Sequence, residues 1–355
     1  MKRILLLWLA VSLLAGCSLL PGGEPAAAPV SALPGGAFLT DEAAIRAETV
    51  SLIRQARTTI WIEQFIFSDA ELLALLIEKA QAGVEIRLLL DQWQTANQPT
   101  IETLKNNNIS VQYYPAQKGQ YQRVRCMLTD GGAALVYSSD WLENPPPLRR
   151  LAVRLEGEAA WELARNFAAD WKYTTTLALE LPPDVEAPDD HITLNTGAAL
   201  RQSVLNQIEG ASREILAESI QISQEDVLNA LIAARQRGCL VRLILNPDVV
   251  DSTPNSLERL RAAGVEIRLF RAAAGETAET IDYTFAVFDG QSLIVAASAW
   301  SHAAFVINHE IALTIPSPAG AEKMQALFAS DWENGAPWPS APPDEQQSGV
   351  SRAVR

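Results

Sequence analysis

The sequence predicts an α/β fold made of two similar halves, each a largely parallel mixed sheet flanked by helices, and three observations predict it. Blocks of sequence recur in the same order in both halves. Within each half, short apolar runs alternate with segments whose apolar residues recur at three and four, the pattern of strands alternating with amphipathic helices. The 355 residues are 48% apolar, enough to bury a large core, and halves of about 145 residues each fall within the usual domain size.

Taken in order, each half opens with an amphipathic helix, Glu42 to Ala56 and Ala198 to Ala211. An apolar strand with a glutamate at the same step follows: Ile60-Trp-Ile-Glu63-Gln-Phe-Ile-Phe67 matches Ile215-Leu-Ala-Glu218-Ser-Ile-Gln-Ile222. A second helix spans Ala70 to Ala82 and Asp226 to Arg237. Next comes a glycine-led strand, Gly83-Val-Glu-Ile-Arg-Leu-Leu-Leu-Asp91 against Gly238-Cys-Leu-Val-Arg-Leu-Ile-Leu-Asn246. A third helix and short strand cover Ile101 to Val111 and Leu257 to Ile267. A motif strand follows, then a strand through Ala134–Val136 or Leu293–Val295 that leads into Tyr137-Ser-Ser-Asp-Trp141 or Ala296-Ala-Ser-Ala-Trp300. A closing helix ends in Phe167-Ala-Ala-Asp-Trp171 or Phe328-Ala-Ser-Asp-Trp332. Strands that alternate with helices imply a sheet covered on both faces.

The motif segments read Arg123-Val-Arg125-Cys-Met-Leu-Thr-Asp130-Gly and Asp282-Tyr-Thr284-Phe-Ala-Val-Phe-Asp289-Gly. Both resemble the HxKxxxxD motif of the phospholipase D superfamily, with the aspartate kept and the histidine and lysine replaced in each copy. The resemblance covers roughly residues 40–335, and Ile60–Asp91 looks like the first strand–helix–strand of cardiolipin-synthase-type members. It implies two repeats packed about a pseudo-twofold axis, with both motif strands meeting at one cleft. In that family one histidine attacks phosphorus, the other protonates the leaving alcohol and the lysines hold the phosphate, with no divalent metal required.

Carried over position by position, the histidine slots hold Arg123 and Asp282, and the lysine slots hold Arg125 and Thr284. Arginine stays protonated and cannot serve as a nucleophile, and an aspartate would repel a phosphodiester. Of the family's Gly-Ser-x-Asn, which helps hold phosphate, Ser138 survives in the first copy, with Asp140 at the asparagine slot. Glu310 matches the carboxylate that orients a histidine, and its counterpart in the first half is Arg150. The six vestigial motif positions are therefore Arg123, Arg125, Asp130, Asp282, Thr284 and Asp289, and the vestigial phosphate and orienting positions are Ser138, Asp140 and Glu310. No catalytic residue, cofactor or metal is expected. The three histidines, His191, His302 and His309, lie outside the nucleophile positions and read as surface or hydrogen-bonded structural residues. Because one histidine slot has become a cation and the other an anion, a salt bridge between Arg123 and Asp282 across the repeat junction is expected.

At the start, Lys2-Arg3 precede the apolar run Ile4–Leu14 and then Leu14-Ala15-Gly16-Cys17, which resembles a bacterial lipoprotein signal peptide with its lipobox. Cys17 is then the acylated mature N-terminus, and several acyl chains on one cysteine anchor a protein stably. The expected organisation is a signal peptide over 1–16, lipidated cysteine and flexible linker over 17–38, repeats over 39–180 and 192–335, a linker over 181–191, and a disordered tail over 336–355. The formal charge is −14, and loss of Lys2 and Arg3 with the leader takes it to −16. That balance opposes nucleic-acid binding, which needs cations to replace phosphate counterions. Cys126 and Cys239 fall in different halves at non-equivalent positions and read as buried free thiols, and the paired tryptophans read as core.

Three functions remain open at this level. The leading one is a non-catalytic phospholipase-D-like lipoprotein, a monomer with internal pseudo-symmetry, exported and lipid-anchored to the cell membrane or outer membrane, that binds a lipid ligand or an envelope protein. The second is a residual phosphodiesterase or phosphatidyltransferase acting on phospholipid. The third is a structural envelope protein.

Overall fold

The computed structural model describes residues 30–31, 33–181, 190–278, 280–296 and 298–338. The signal peptide, Cys17, most of the first linker, residues 182–189 and the end of the tail lie outside the described residues.

Repeat 1 begins with β1 (Phe38–Leu39), α1 (Glu42–Gln55), β2 (Thr59–Gln64), α2 (Ala70–Gln81) and β3 (Glu85–Asp91). It continues with α3 (Gln98–Asn106), β4 (Ser110–Tyr114), β5 (Cys126–Thr129), β6 (Ala133–Tyr137), β7 (Leu148–Arg149), β8 (Ala152–Glu156) and α4 (Gly157–Thr175). Repeat 2 runs β9 (Thr193–Thr196), α5 (Gly197–Gly210), β10 (Glu214–Ser219), α6 (Glu225–Gln236), β11 (Leu240–Leu245), α7 (Val249–Ser252) and α8 (Pro254–Ala262). Then follow β12 (Glu266–Leu269), β13 (Thr280–Ile281), β14 (Thr284–Phe288), β15 (Ser292–Ala296), β16 (Ile311–Ile315), α9 (Pro318–Asn334) and β17 (Ala336–Pro337).

The helix starts and stops have local causes. Asp41 and Asp69 accept from the backbone N–H of Ala44 and Leu72, capping α1 and α2. After α2 and α6 the chain reverses through Gly83 and Gly238 at φ +92° and +95°, which is why both following strands are glycine-led.

Each sheet is mixed, in the order β1-β8-β6-β5-β2-β3-β4 and β17-β12-β11-β10-β14-β15-β16-β9. The strands β2, β3 and β4 run parallel because α2 and α3 supply the crossovers, and β10, β11 and β12 repeat this. The other half of each sheet is antiparallel, built on the β5–β6 and β14–β15 hairpins. Alternation along the strands sorts side chains into separate cores. Ile60 and Ile62 of β2 join α1, α2 and α3 in an outer core, and α5, α6 and α8 cover the outer face of the second sheet. Trp61, Cys126 and Leu128 point inward to a central core that contains α4, α9 and the inner face of both sheets. The result is five layers, with α4 and α9 shared between two sheets.

The motif aspartates sit at the far end of this scaffold. Asp130 accepts from the backbone of Arg57, Thr58 and Thr59 and from the Thr58 hydroxyl, and Asp289 accepts from Ser212, Arg213 and Glu214 in the same way. Both have positive φ, 52° and 54°, at the hairpin turn. Burial alone would raise each carboxyl, but the converging donors win and hold both below the usual aspartate range. The aspartates bind the hairpin to the start of β2 and β10, a structural duty that is independent of a histidine or lysine at the other end of the strand.

Several boundaries differ from expectation. Phe38 is buried, β1 pairs with β8, and the Ser317 hydroxyl donates to the Leu33 carbonyl, so the packed chain begins before residue 39. At the other end, β17 pairs with β12 and the Trp338 N–H donates to Ile267, extending order past residue 335. The strands β8 and β16, which carry no block of clear similarity, complete each sheet. Cys126 and Cys239 are buried free thiols, as expected. No described helix is long and apolar enough to cross a membrane.

Candidate functional site

The two motif segments meet at the repeat junction through reciprocal backbone contacts. The Arg123 N–H donates to the His309 carbonyl at 2.7 Å, and the Asp282 N–H donates to the Arg149 carbonyl at 3.0 Å. Each histidine slot is thus held by the segment preceding β8 or β16 of the other repeat, and β7 pairs with β13 across the same junction. In the first copy the strand proper starts at Cys126, so Arg123 and Arg125 lie on the extended lead-in rather than in the ladder.

Arg123 and Asp282 share the cleft but do not form the expected salt bridge: among the described residues no ion pair joins them. The Arg123 guanidinium lies over the Phe65 ring at 4.5 Å and near Tyr121 at 5.8 Å. Burial, then Arg125, lowers its pKa, against the pull of Glu310, Asp140 and Asp282. The ion pair that does form is within repeat 1, from Arg125 Nε to Asp140 Oδ1 at 2.6 Å, with Arg125 only 3% exposed. Burial disfavours the Arg125 charge, but Asp140, Asp282 and Glu310 outweigh it and raise its pKa. The pairing changes because Asp140 follows the hairpin strand β6 beside the start of β5 and so meets Arg125, while Phe65 and Tyr121 take the Arg123 guanidinium.

Asp282 is pushed up to about 6, first by burial and then by Asp140, with Arg125, Arg150 and Arg123 opposing. Glu310 is buried and accepts from Asn308 at 2.8 Å. Its counterpart Arg150 donates to Glu42 at 2.7 Å and to the Pro146 carbonyl at 2.8 Å. Three cations, Arg123, Arg125 and Arg150, are therefore set among three carboxylates, Asp140, Asp282 and Glu310, and the cleft supplies its own counter-charges.

The remaining positions are committed elsewhere. Thr284, fully buried, shares a 2.8 Å hydrogen bond with Ser219. The Ser138 hydroxyl accepts from the Leu151 N–H at 3.0 Å. His302 is exposed beside a π-helical turn over Ala303–Ile307, and the His309 ring turns to Asp170, 2.9 Å away. Phe65, Tyr121 and Glu42 complete the cleft and carry no sequence signal, since aromatic residues and an N-terminal helix glutamate are common without a site.

A family model described as "Cardiolipin synthase, PLD-like domain" matches residues 49–145 and 204–332. Among curated proteins, the chain is 25% identical over 316 residues to cardiolipin synthase A of Pseudomonas syringae pv. syringae, covering 79% of this chain and 64% of the relative. It is 22% identical over 319 residues to the probable cardiolipin synthase YwiE of Bacillus subtilis, covering 79% of this chain and 62% of that protein. The chain thus spans somewhat under two thirds of the length of these relatives. Among solved structures, phosphatidylserine synthase of Haemophilus influenzae superposes with a TM-score of 0.65 at 13% identity, over 87% of this chain and 88% of that one. Polyphosphate kinase of Porphyromonas gingivalis superposes at 0.64 and 13% identity, over 84% of this chain and 48% of that one. These likenesses show the fold, and the two matched segments, which fall one in each repeat, show the family: the chain belongs to the cardiolipin synthase, PLD-like domain family.

Proposed function

We propose that this protein is a membrane-anchored, non-catalytic member of its family that acts as a binding or scaffolding unit at the cell envelope. The observation that carries the reading is the chemistry of the cleft. The two slots that hold the nucleophile and the general acid in the phospholipase D mechanism contain Arg123 and Asp282. The cleft cation best placed to hold a phosphate, Arg125, is already paired with Asp140. An incoming phosphodiester would meet no nucleophile and would have to displace carboxylates to reach a cation. The alternative, residual phospholipid phosphodiesterase or phosphatidyltransferase activity, is favoured by the cardiolipin synthases and cardiolipin hydrolases among the relatives.

Assay of the purified protein on cardiolipin, phosphatidylcholine and bis-(p-nitrophenyl) phosphate tests the reading. Rates should fall short of an active family member by about 10⁴–10⁶, the usual cost of losing a nucleophile that works as part of a unit. Turnover that survives repurification and disappears in His302→Ala or His309→Ala overturns it.

The membrane anchor is tested separately, because the lipobox does not depend on the cleft. Metabolic labelling with a fatty-acid probe should mark the wild type and leave Cys17→Ser unlabelled, and the variant should leave the membrane fraction. An unlabelled wild type rejects the anchor.

A further inference from the structure

One buried cluster repeats across the pseudo-twofold, with the residue that arrives from the other repeat changed. In repeat 2, Glu218 on β10 and Asp331 near the end of α9 are both fully buried. Arg149, which comes from repeat 1, places Nη2 3.2 Å from Asp331 Oδ1, and the Tyr283 hydroxyl donates to Glu218 at 2.9 Å. A permanent cation from one repeat thus pairs with the buried Asp331 of the other and also with Glu276.

In repeat 1 the same places hold Glu63 on β2 and Asp170 near the end of α4, again buried. The residue arriving from the other repeat is now His309, whose Nε2 lies 2.9 Å from Asp170 Oδ2. Among the described residues no lysine or arginine nitrogen lies within 4 Å of either carboxylate. Glu63 Oε2 accepts from Gln122 at 2.8 Å, but Oε1 is buried without a partner. One donor atom each of Glu63, Asp170 and His309 lies within 4.8 Å of the others. The His309 ring is stacked on Tyr114 at 4.7 Å and 2°, which fixes its orientation, and the side chain is 21% exposed, so one side of the cluster is open to solvent.

Where the sister position has an arginine this one has an imidazole, so repeat 1 lacks the fixed cation that repeat 2 places beside its buried carboxyl groups. A divalent cation supplies the missing charge and uses the unpartnered oxygen. We propose that Glu63, Asp170 and His309 form a divalent-cation site of zinc type that joins repeat 1 to repeat 2. Carboxylate and imidazole ligands at about 2.0–2.2 Å suit Zn²⁺, and three protein ligands leave a coordination position for water. Donor atoms within 4.8 Å of one another need only small side-chain movements to reach that geometry. The sequence concealed the site because its ligands come from two repeats, with Asp170 and His309 separated by 139 positions.

The test uses the full-length protein, stripped with a chelator and titrated with ZnCl₂ against a chromophoric chelator. One equivalent should bind, raise the melting temperature by several degrees, and be reversed by EDTA. His309→Arg installs the residue type of the sister site and should weaken zinc uptake at least tenfold while the protein stays folded; His191→Ala and His302→Ala should bind as wild type. Failure of the wild type to take up zinc, or unchanged uptake in His309→Arg, overturns the site. Cobalt provides a second readout should His309→Arg not fold. The visible absorption of the Co²⁺-loaded protein should vanish in Glu63→Gln, and its persistence there would reject the assignment.

Discussion

Arg125→Ala should cost about 3–5 kcal/mol, the penalty typical of removing one partner from a buried ion pair. The guanidinium is 3% exposed and its direct partner Asp140 only 13%. Its loss strands Asp140 and also removes the largest favourable charge acting on Asp282. The pair itself need not add much net stability, since both ions were desolvated to form it. Asp140→Ala strands Arg125 in turn, and the double variant should cost clearly less than the sum of the two. Urea denaturation of the four proteins at neutral pH measures the coupling. A single-variant cost below about 1 kcal/mol would mean that water enters the cleft and solvates both charges.

The second large effect is a pH dependence centred on Asp282. Its folded pKa of about 6 stands above the unfolded value of about 3.9, so the folded state binds the proton more tightly. The stability contributed by that proton is fully present below the unfolded pKa and is lost as pH rises through the folded one. Relative to its protonated form, ionised Asp282 therefore costs about 3 kcal/mol at pH 7. Asp282→Asn removes the titration. Against wild type it should gain stability between pH 4 and pH 7, by up to about 3 kcal/mol. Asp331, also pushed up to about 6 by burial, titrates in both proteins and cancels in the difference, provided the two sites are uncoupled. A stability difference between variant and wild type that is the same at pH 4.5 and pH 7.5 would show that Asp282 is solvated.

Local patterns were enough to locate most of the elements of both repeats. Period 3.6 marked α1, α2, α5 and α6 to within a residue or two, because those helices bury one face and expose the other. The antiparallel half of each sheet was harder to read. The strands β1 and β7 contain two residues each, and β8 and β16 pair with neighbours already in place, so neither a long period nor a strong repeat marks them. The retained motif aspartates were visible, but their duty was not, since five hydrogen bonds to the start of β2 are made by residues more than 70 positions away.

Charge pairing shows the same division. That Arg123, Arg125, Asp140, Asp282 and Glu310 would gather at one junction followed from the duplicated motif. Which cation met which carboxylate did not, because ion pairing depends on side-chain reach and on what else competes for the charge. Phe65 took Arg123, and Asp140 took Arg125. By itself the sequence determined the repeat, the order of its helices and parallel strands, and the motif residues of the cleft, because these depend on local periodicity and on self-similarity. Only the tertiary structure decided the partners within the cleft and the meeting of Glu63, Asp170 and His309. Those contacts join separate segments, within repeat 1 for Arg123 and Arg125 and across the repeats for His309, and no local rule acts between them.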